Sequence, residues 1–107
     1  MARRLKMYLV VRADLRPGLQ AAQLCHALRA FVDEHRGVEE AWFTESNTLV
    51  CLRVQNVDAL EQLAADAEDH RVEVSRFHEP DLDGSLTAVA IGPRGRNLCR
   101  GLPLALS

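Results

Sequence analysis

The chain has 107 residues, of which 48% are hydrophobic and 26% are charged, and its formal net charge is −2. This size and composition predict one globular domain over residues 1–107 and exclude a largely disordered chain. The apolar run Met7–Val11 ends after five residues at Arg12, which is too short for a secretory signal or a membrane span. We therefore expect a cytoplasmic protein with no membrane partner.

The three cysteines show no sign of a metal site. Cys25, Cys51 and Cys99 are widely spaced, and no pair has the short separation that metal-binding cysteines usually have. We expect three reduced and mostly buried thiols, although a catalytic cysteine is an alternative that no other feature supports. The cysteines thus give no indication of a bound metal.

Charge is distributed unevenly along the chain. Acids crowd the middle, from Asp33 to Glu73, whereas the first 29 residues contain one acid, Asp14, and the segment after Gly92 contains none. If the two ends meet in space, they form a basic face suited to phosphates, and otherwise the charges only solubilise the surface. The candidate phosphate contacts are Arg12, Arg16, Arg94 and Arg96.

The first half of the chain reads as a strand followed by a helix. Lys6–Arg12 is typical of a central strand buried on both faces, and Pro17 is placed to begin a helix that runs to about Glu34, with Gly37 as a stop. The predicted apolar stripe of this helix is Ala21, Cys25, Leu28 and Val32, and a separate polar stripe holds Gln23, His26 and Asp33.

The second half alternates in the same way. Its predicted elements are an edge piece at Ala41–Thr44, strands at Thr48–Val54, Val72–Phe77 and Leu86–Ile91, a helix capped by Asn56, and a short helix at Asn97–Gly101. Alternating strands and helices favour an α/β fold, here a small mixed sheet of about four strands sandwiched between helices in three α/β/α layers. Trp42 and Phe43 are expected to fill the core or a dimer seam.

Two segments carry motifs of a known family. Met7–Leu15 (MYLVVRADL) leads to Ala21–Ala27 (AAQLCHA), and Leu86–Pro93 (LTAVAIGP) lies near the other end of the chain. These motifs resemble those of peptidyl-tRNA hydrolases of the archaeal and eukaryotic type, and the resemblance covers roughly residues 6–106. It implies a small mixed sheet with helices, hydrolysis of the ester between a peptide and tRNA, no metal or cofactor, tRNA as the partner and a homodimer as one oligomeric state.

The resemblance suggests which residues form the site. It points to Asp14, Gln23, His26 and Thr87 as candidate catalytic residues, and Glu79 joins them from outside the two motifs, at a strand end beside a proline turn. Each of three has a structural alternative: His26 as a helix histidine bonded to the sheet, Asp14 as a cap or a partner of Arg12, and Thr87 as an ordinary strand threonine. His78 and Glu79 are adjacent, so both serve one site only if the strand has already ended.

The sequence also departs from the family. The family's functional loop lysine is absent, because Lys6 is the only lysine and it begins the first strand. The family aspartate before the last strand is replaced by Ser75 or, with a two-residue gap, by Phe77. Two hypotheses follow: an esterase acting on peptidyl- or aminoacyl-tRNA, and a catalytically silent relative that binds RNA or protein.

Overall fold

A computed structural model describes residues 4–107, so Arg3, which contributes to the basic N-terminal segment, lies outside the described residues. These described residues form one four-stranded sheet and four α-helices. The strands are β1 (Lys6–Arg12), β2 (Thr48–Val54), β3 (Val74–Glu79) and β4 (Ser85–Ile91), and the helices are α1 (Pro17–Glu34), α2 (Arg36–Glu45), α3 (Val57–Asp69) and α4 (Arg96–Cys99).

The sheet is mixed, with the strand order β2-β1-β4-β3. β1 pairs in parallel with β2 and antiparallel with β4, and β4 pairs antiparallel with β3. The parallel pair needs a long crossover connection, which α1 and α2 provide. These pairings confirm the predicted mixed sheet and the central position of Lys6–Arg12.

Helices cover both faces of the sheet. Alternate residues of β1 point to opposite faces, so Leu9 and Val11 join the core under α1 and α2, whereas Tyr8 and Val10 join the core under α3. The buried side chains of α3 are Leu60, Leu63, Ala64 and Ala67, and Asn56 caps the helix by accepting a hydrogen bond from the backbone N–H of Ala59. The predicted three-layer α/β fold is therefore confirmed.

The predicted edge piece at Ala41–Thr44 is wrong, because these residues lie within α2. The helical conformation allows Trp42 to be buried, and its indole N–H donates a hydrogen bond to the carbonyl of Thr48 at 2.7 Å. Phe43 lies outside the core, with 58% of its surface exposed. Gly37 does not stop a helix either, since α1 ends at Glu34 and Gly37 lies in the first turn of α2.

The buried face of α1 differs from the predicted stripe. Ala21 and Cys25 are exposed, and the buried residues are Gln20, Gln23, Leu24, Ala27 and Phe31. Gln23, which was assigned to the polar stripe of the helix, is therefore buried, and so is Gln20. Burial of an amide requires hydrogen-bond partners, and those partners define the site described next.

Candidate functional site

A β-bulge in β4 creates the site. Phe77 and His78 are consecutive in β3, but they pair with Ala88 and Leu86, so Thr87 is the extra residue of β4 at this point. A bulge breaks the regular alternation of side chains and can redirect one of them. The Thr87 hydroxyl lies against α1, where its side chain is fully buried.

Thr87, Gln23 and Glu79 form one buried hydrogen-bond network. The Thr87 hydroxyl donates to Gln23 Oε1 at 2.5 Å, and Gln23 Nε2 donates to Glu79 Oε1 at 2.9 Å. Both ends of the amide are therefore bonded, which allows Gln23 to be completely buried in a layer of apolar side chains. The amide joins the bulge of β4 to the carboxyl end of β3.

Glu79 ends β3 as an ionised carboxylate. Its other oxygen, Oε2, accepts a hydrogen bond from the backbone N–H of Asp81 at 3.2 Å, where a short 3-10 turn begins. The hydrogen bond from Gln23, the backbone N–H of Asp81 and the nearby charge of His26 lower the pKa of Glu79 against the opposing effect of desolvation. Glu79 is therefore a fixed negative charge at neutral pH.

His26 lies on the exposed side of the same network. Its ring stacks on Phe77, with 4.5 Å between the centroids and an interplanar angle of 21°. Phe77 is thus the platform that holds the imidazole near the Glu79 carboxylate while leaving it open to solvent. This arrangement differs from the alternative of a core histidine bonded to the sheet.

Arg12 and Asp14 form a rigid ion pair at the end of β1. Arg12 Nε donates to Asp14 Oδ1 at 3.0 Å, and Nη2 donates to Oδ2 at 2.9 Å. Nη1 donates to the Ser85 hydroxyl at 2.7 Å and to the Leu86 carbonyl at 3.2 Å, which ties the pair to the start of β4. Hydrogen bonding and charge from Arg12 lower the pKa of Asp14.

Gln20 and Ser85 belong to the surroundings of the site, and the sequence did not single them out. Gln20 is buried in the first turns of α1, and its amide donates to the carbonyls of Leu15 at 2.5 Å and Ala13 at 3.4 Å. It therefore fixes the loop that carries Asp14 and Arg16. The only sequence signal for the burial of Gln20 is its position, one turn before Gln23 on the same side of the helix.

Other sequence candidates lie away from this network. Ser75 is buried and donates to Glu34 at the end of α1, two residues along the same face of β3 from Phe77. His78 points away from Glu79 and its Nδ1 lies 3.1 Å from the Gly84 carbonyl oxygen, as alternation along a strand predicts. His35 contacts the Val74 carbonyl oxygen, and His70 lies at the end of α3.

The four arginines expected on one face lie at two ends of the sheet. The antiparallel register places Tyr8 opposite Ile91, so Arg94 and Arg96 lie beyond the amino end of β1, whereas Arg12 is the last residue of β1 and Arg16 follows its carboxyl end. The separation is about 20 Å, the length of a seven-residue strand. The expectation of a single basic face is therefore wrong, because adjacent segments of antiparallel strands run in opposite directions.

The four arginines also differ in their partners. Arg12 is paired with Asp14, and Arg94 is paired with Glu73 at 3.0 Å. Within residues 4–107, Arg16 and Arg96 form no ion pair. These two side chains are exposed, so their guanidinium groups are accessible to an external anion.

Across residues 4–107, no three histidine, cysteine or acidic side chains are grouped closely enough to hold a metal ion. None of the helices in this part of the chain is both long and apolar enough to cross a membrane.

Comparison with known proteins bears on the fold and on the family of the chain. A solved structure of a protein of unknown function from Agrobacterium tumefaciens strain C58 is similar, with a TM-score of 0.71 over 96% of this chain and 98% of that chain, at 11% sequence identity. That similarity supports the fold alone. The family model described as peptidyl-tRNA hydrolase PTH2 matches residues 5–102, which include every element from β1 to α4. The chain belongs to the peptidyl-tRNA hydrolase PTH2 family.

Proposed function

We propose that the protein hydrolyses the ester bond of peptidyl-tRNA or aminoacyl-tRNA and releases free tRNA. The observation that carries the proposal is the buried Thr87–Gln23–Glu79 network beside the exposed imidazole of His26. This network holds the Glu79 carboxylate in a defined position. The His26 imidazole, which stacks on Phe77 at the surface, is a group that can accept a proton. Membership of the family supports an ester of tRNA as the substrate.

In the proposed reaction, the His26 imidazole accepts a proton from a water molecule whose oxygen attacks the ester carbonyl carbon. The negative charge of Glu79 stabilises the resulting imidazolium, as a carboxylate does for a catalytic histidine in other hydrolases. When the bond to the ribose oxygen breaks, the His26 imidazolium gives its proton to that oxygen, so the imidazole is neutral again and the products are a free carboxylic acid and tRNA. Gln23 and Thr87 act by keeping the carboxylate in place.

Asp14 acts indirectly in this scheme. Because Arg12 holds its carboxylate at two points, Asp14 shapes the loop above the network and does not accept the proton itself. Arg16, on the same loop, is exposed and without an ion partner among the described residues, so it is the cation available for a phosphate near the ester. Lys6 cannot serve here, since it begins β1 at the far end of the strand.

The test is peptide release from a model N-acetyl-aminoacyl-tRNA by the purified protein. His26→Ala should lower the rate about 100-fold, a usual contribution of a general base, and should leave the thermal midpoint nearly unchanged because His26 is exposed. His70→Ala is the matched control, since it removes another exposed histidine at the end of α3 and should retain full activity.

Wild-type protein that binds tRNA without releasing the peptide would support the second hypothesis, a family member that binds RNA and has lost the chemistry. A large loss of stability in His26→Ala with normal specific activity would instead show a structural histidine. Either result would remove the role proposed for His26.

A further inference from the structure

A second candidate site lies on the α3–α4 side of the sheet, at the amino end of β1. Three neighbouring depressions form a continuous groove there, the largest with a volume of about 240 Å³. Lys6 and Tyr8 line all three, and Arg96 of α4 does the same from the opposite wall. We call this surface the β1–α4 groove.

The β1–α4 groove is basic throughout. Its charged lining residues are Arg4, Lys6, Arg94, Arg96 and Arg100, and no acid lines any part of it. Of these five, only Arg94 forms an ion pair within residues 4–107, with Glu73. Four positive charges thus face one groove without a carboxylate, on a chain whose net charge is negative.

The groove is a built surface and not a random accumulation of charge. Arg100 Nη2 donates to Asn97 Oδ1 at 3.1 Å, which fixes one guanidinium at the end of α4. Gly95 allows α4 to approach the sheet closely, because a Cβ atom at this position would lie 2.2 Å from Ile91 Cγ2. The close packing of Gly95 against Ile91 therefore places the start of α4, and with it Arg96, at the wall of the groove.

We propose that the β1–α4 groove binds the phosphodiester backbone of tRNA at a point away from the ester bond. Planar guanidinium groups bind phosphate oxygens through two parallel hydrogen bonds, and a row of such groups suits a chain of phosphates better than a single anion. The choice of tRNA rests on the proposed function. The groove lies on the opposite face of the sheet from Gln23 and about one strand length away, roughly 20 Å.

Because the β1–α4 groove lies away from the proposed catalytic network, its effect on tRNA binding can be measured separately from ester hydrolysis. Loss of cations in the groove should weaken the binding of whole tRNA, whereas hydrolysis of a short ester that carries only the terminal nucleotide should be unaffected. A contact made equally in the ground state and the transition state changes KM and leaves kcat constant.

The test is a salt titration of tRNA binding for the wild type and two double variants. Arg96→Gln with Arg100→Gln should weaken binding about tenfold at physiological salt and flatten the slope of log K against log salt by about one to two units. Arg36→Gln with Arg76→Gln is the control: it removes the same charge from two arginines that already face carboxylates, Asp33 and Glu68.

Equal effects of the two double variants, or an unchanged slope in the groove variant, would overturn the assignment to RNA and leave an acidic protein surface as the partner. Peptide release by the wild type is scored separately with the short ester. Failure of the groove is thereby distinguished from failure of the proposed hydrolase activity.

Discussion

The hydrogen bond from Thr87 to Gln23 should be a strongly stabilising polar contact, and a double-mutant cycle can measure it. Both side chains are fully buried, and the two oxygens lie 2.5 Å apart. Thr87→Val keeps the shape of the side chain but leaves Gln23 Oε1 buried without a donor. An unsatisfied buried acceptor costs about 1–3 kcal/mol in the free energy of unfolding.

Gln23→Met is the second variant, because methionine is close to glutamine in length and has no amide. It leaves the Thr87 hydroxyl with only the Phe77 carbonyl, at 3.4 Å, and deprives Glu79 of the Gln23 N–H. In the double variant the orphaned Oε1 is gone as well, so the loss should be smaller than the sum of the single losses. The expected coupling is about 1 kcal/mol or more.

The assay is urea unfolding followed by circular dichroism at neutral pH, with thermal midpoints as a second measure. For a domain of this size, the Thr87→Val loss corresponds to a decrease in Tm of about 5–20 °C. Thr48→Val is the matched control, since Thr48 is only half-buried and its hydroxyl lies 3.5 Å from the Ser46 carbonyl. Additive single losses, or a control loss as large as that of Thr87→Val, would refute the network as a coupled unit.

Two further predictions concern packing and pH. Gly95→Ala should lower the free energy of unfolding by about 1–3 kcal/mol, because its Cβ would overlap Ile91, while Gly18→Ala, with open space at its Cβ, should not destabilise the protein. Asp14→Asn should make stability less sensitive to acid: the pKa of Asp14 in the folded state is below its ordinary value of 3.8, so its contribution is present above that pH and is lost as the pH falls below it. Urea titrations at pH 7 and pH 3 measure the second effect, and equal acid sensitivity of both proteins would contradict it.

The order of strands and helices could be predicted from the sequence because the apolar runs of β1, β2 and β4 are unbroken and strong. The helix α2 could not, since its Trp-Phe-Thr segment favours a strand by local propensity and becomes helical through the burial of Trp42. The buried face of α1 was missed for a related reason. An apolar pattern cannot show that Gln20 and Gln23 are buried when their hydrogen-bond partners come from distant segments.

The candidate site was predictable only as a set of residue types. The motifs pointed to Gln23, His26 and Thr87, and Glu79 was singled out from outside the motifs. The structure joins Thr87, Gln23 and Glu79 in one network, with His26 on its exposed side. The bulge that turns Thr87 toward α1 has no sequence signature, and neither does the stacking of His26 on Phe77. The basic residues at the two ends of the chain were predicted to form a single face, because the linear charge pattern contains no information about the direction of β4.

The bulge also decides where this chain can change in length. Leu86 belongs to the core under α3 and Ala88 to the core under α1, so the two neighbours of Thr87 already lie on opposite faces of the sheet, as adjacent strand residues do. Removing Thr87 would therefore restore a regular ladder with β3 and keep both cores, but it would take away the hydroxyl that joins β4 to α1. The exposed turn at Asp83 and Gly84 can in turn absorb an insertion without altering either face.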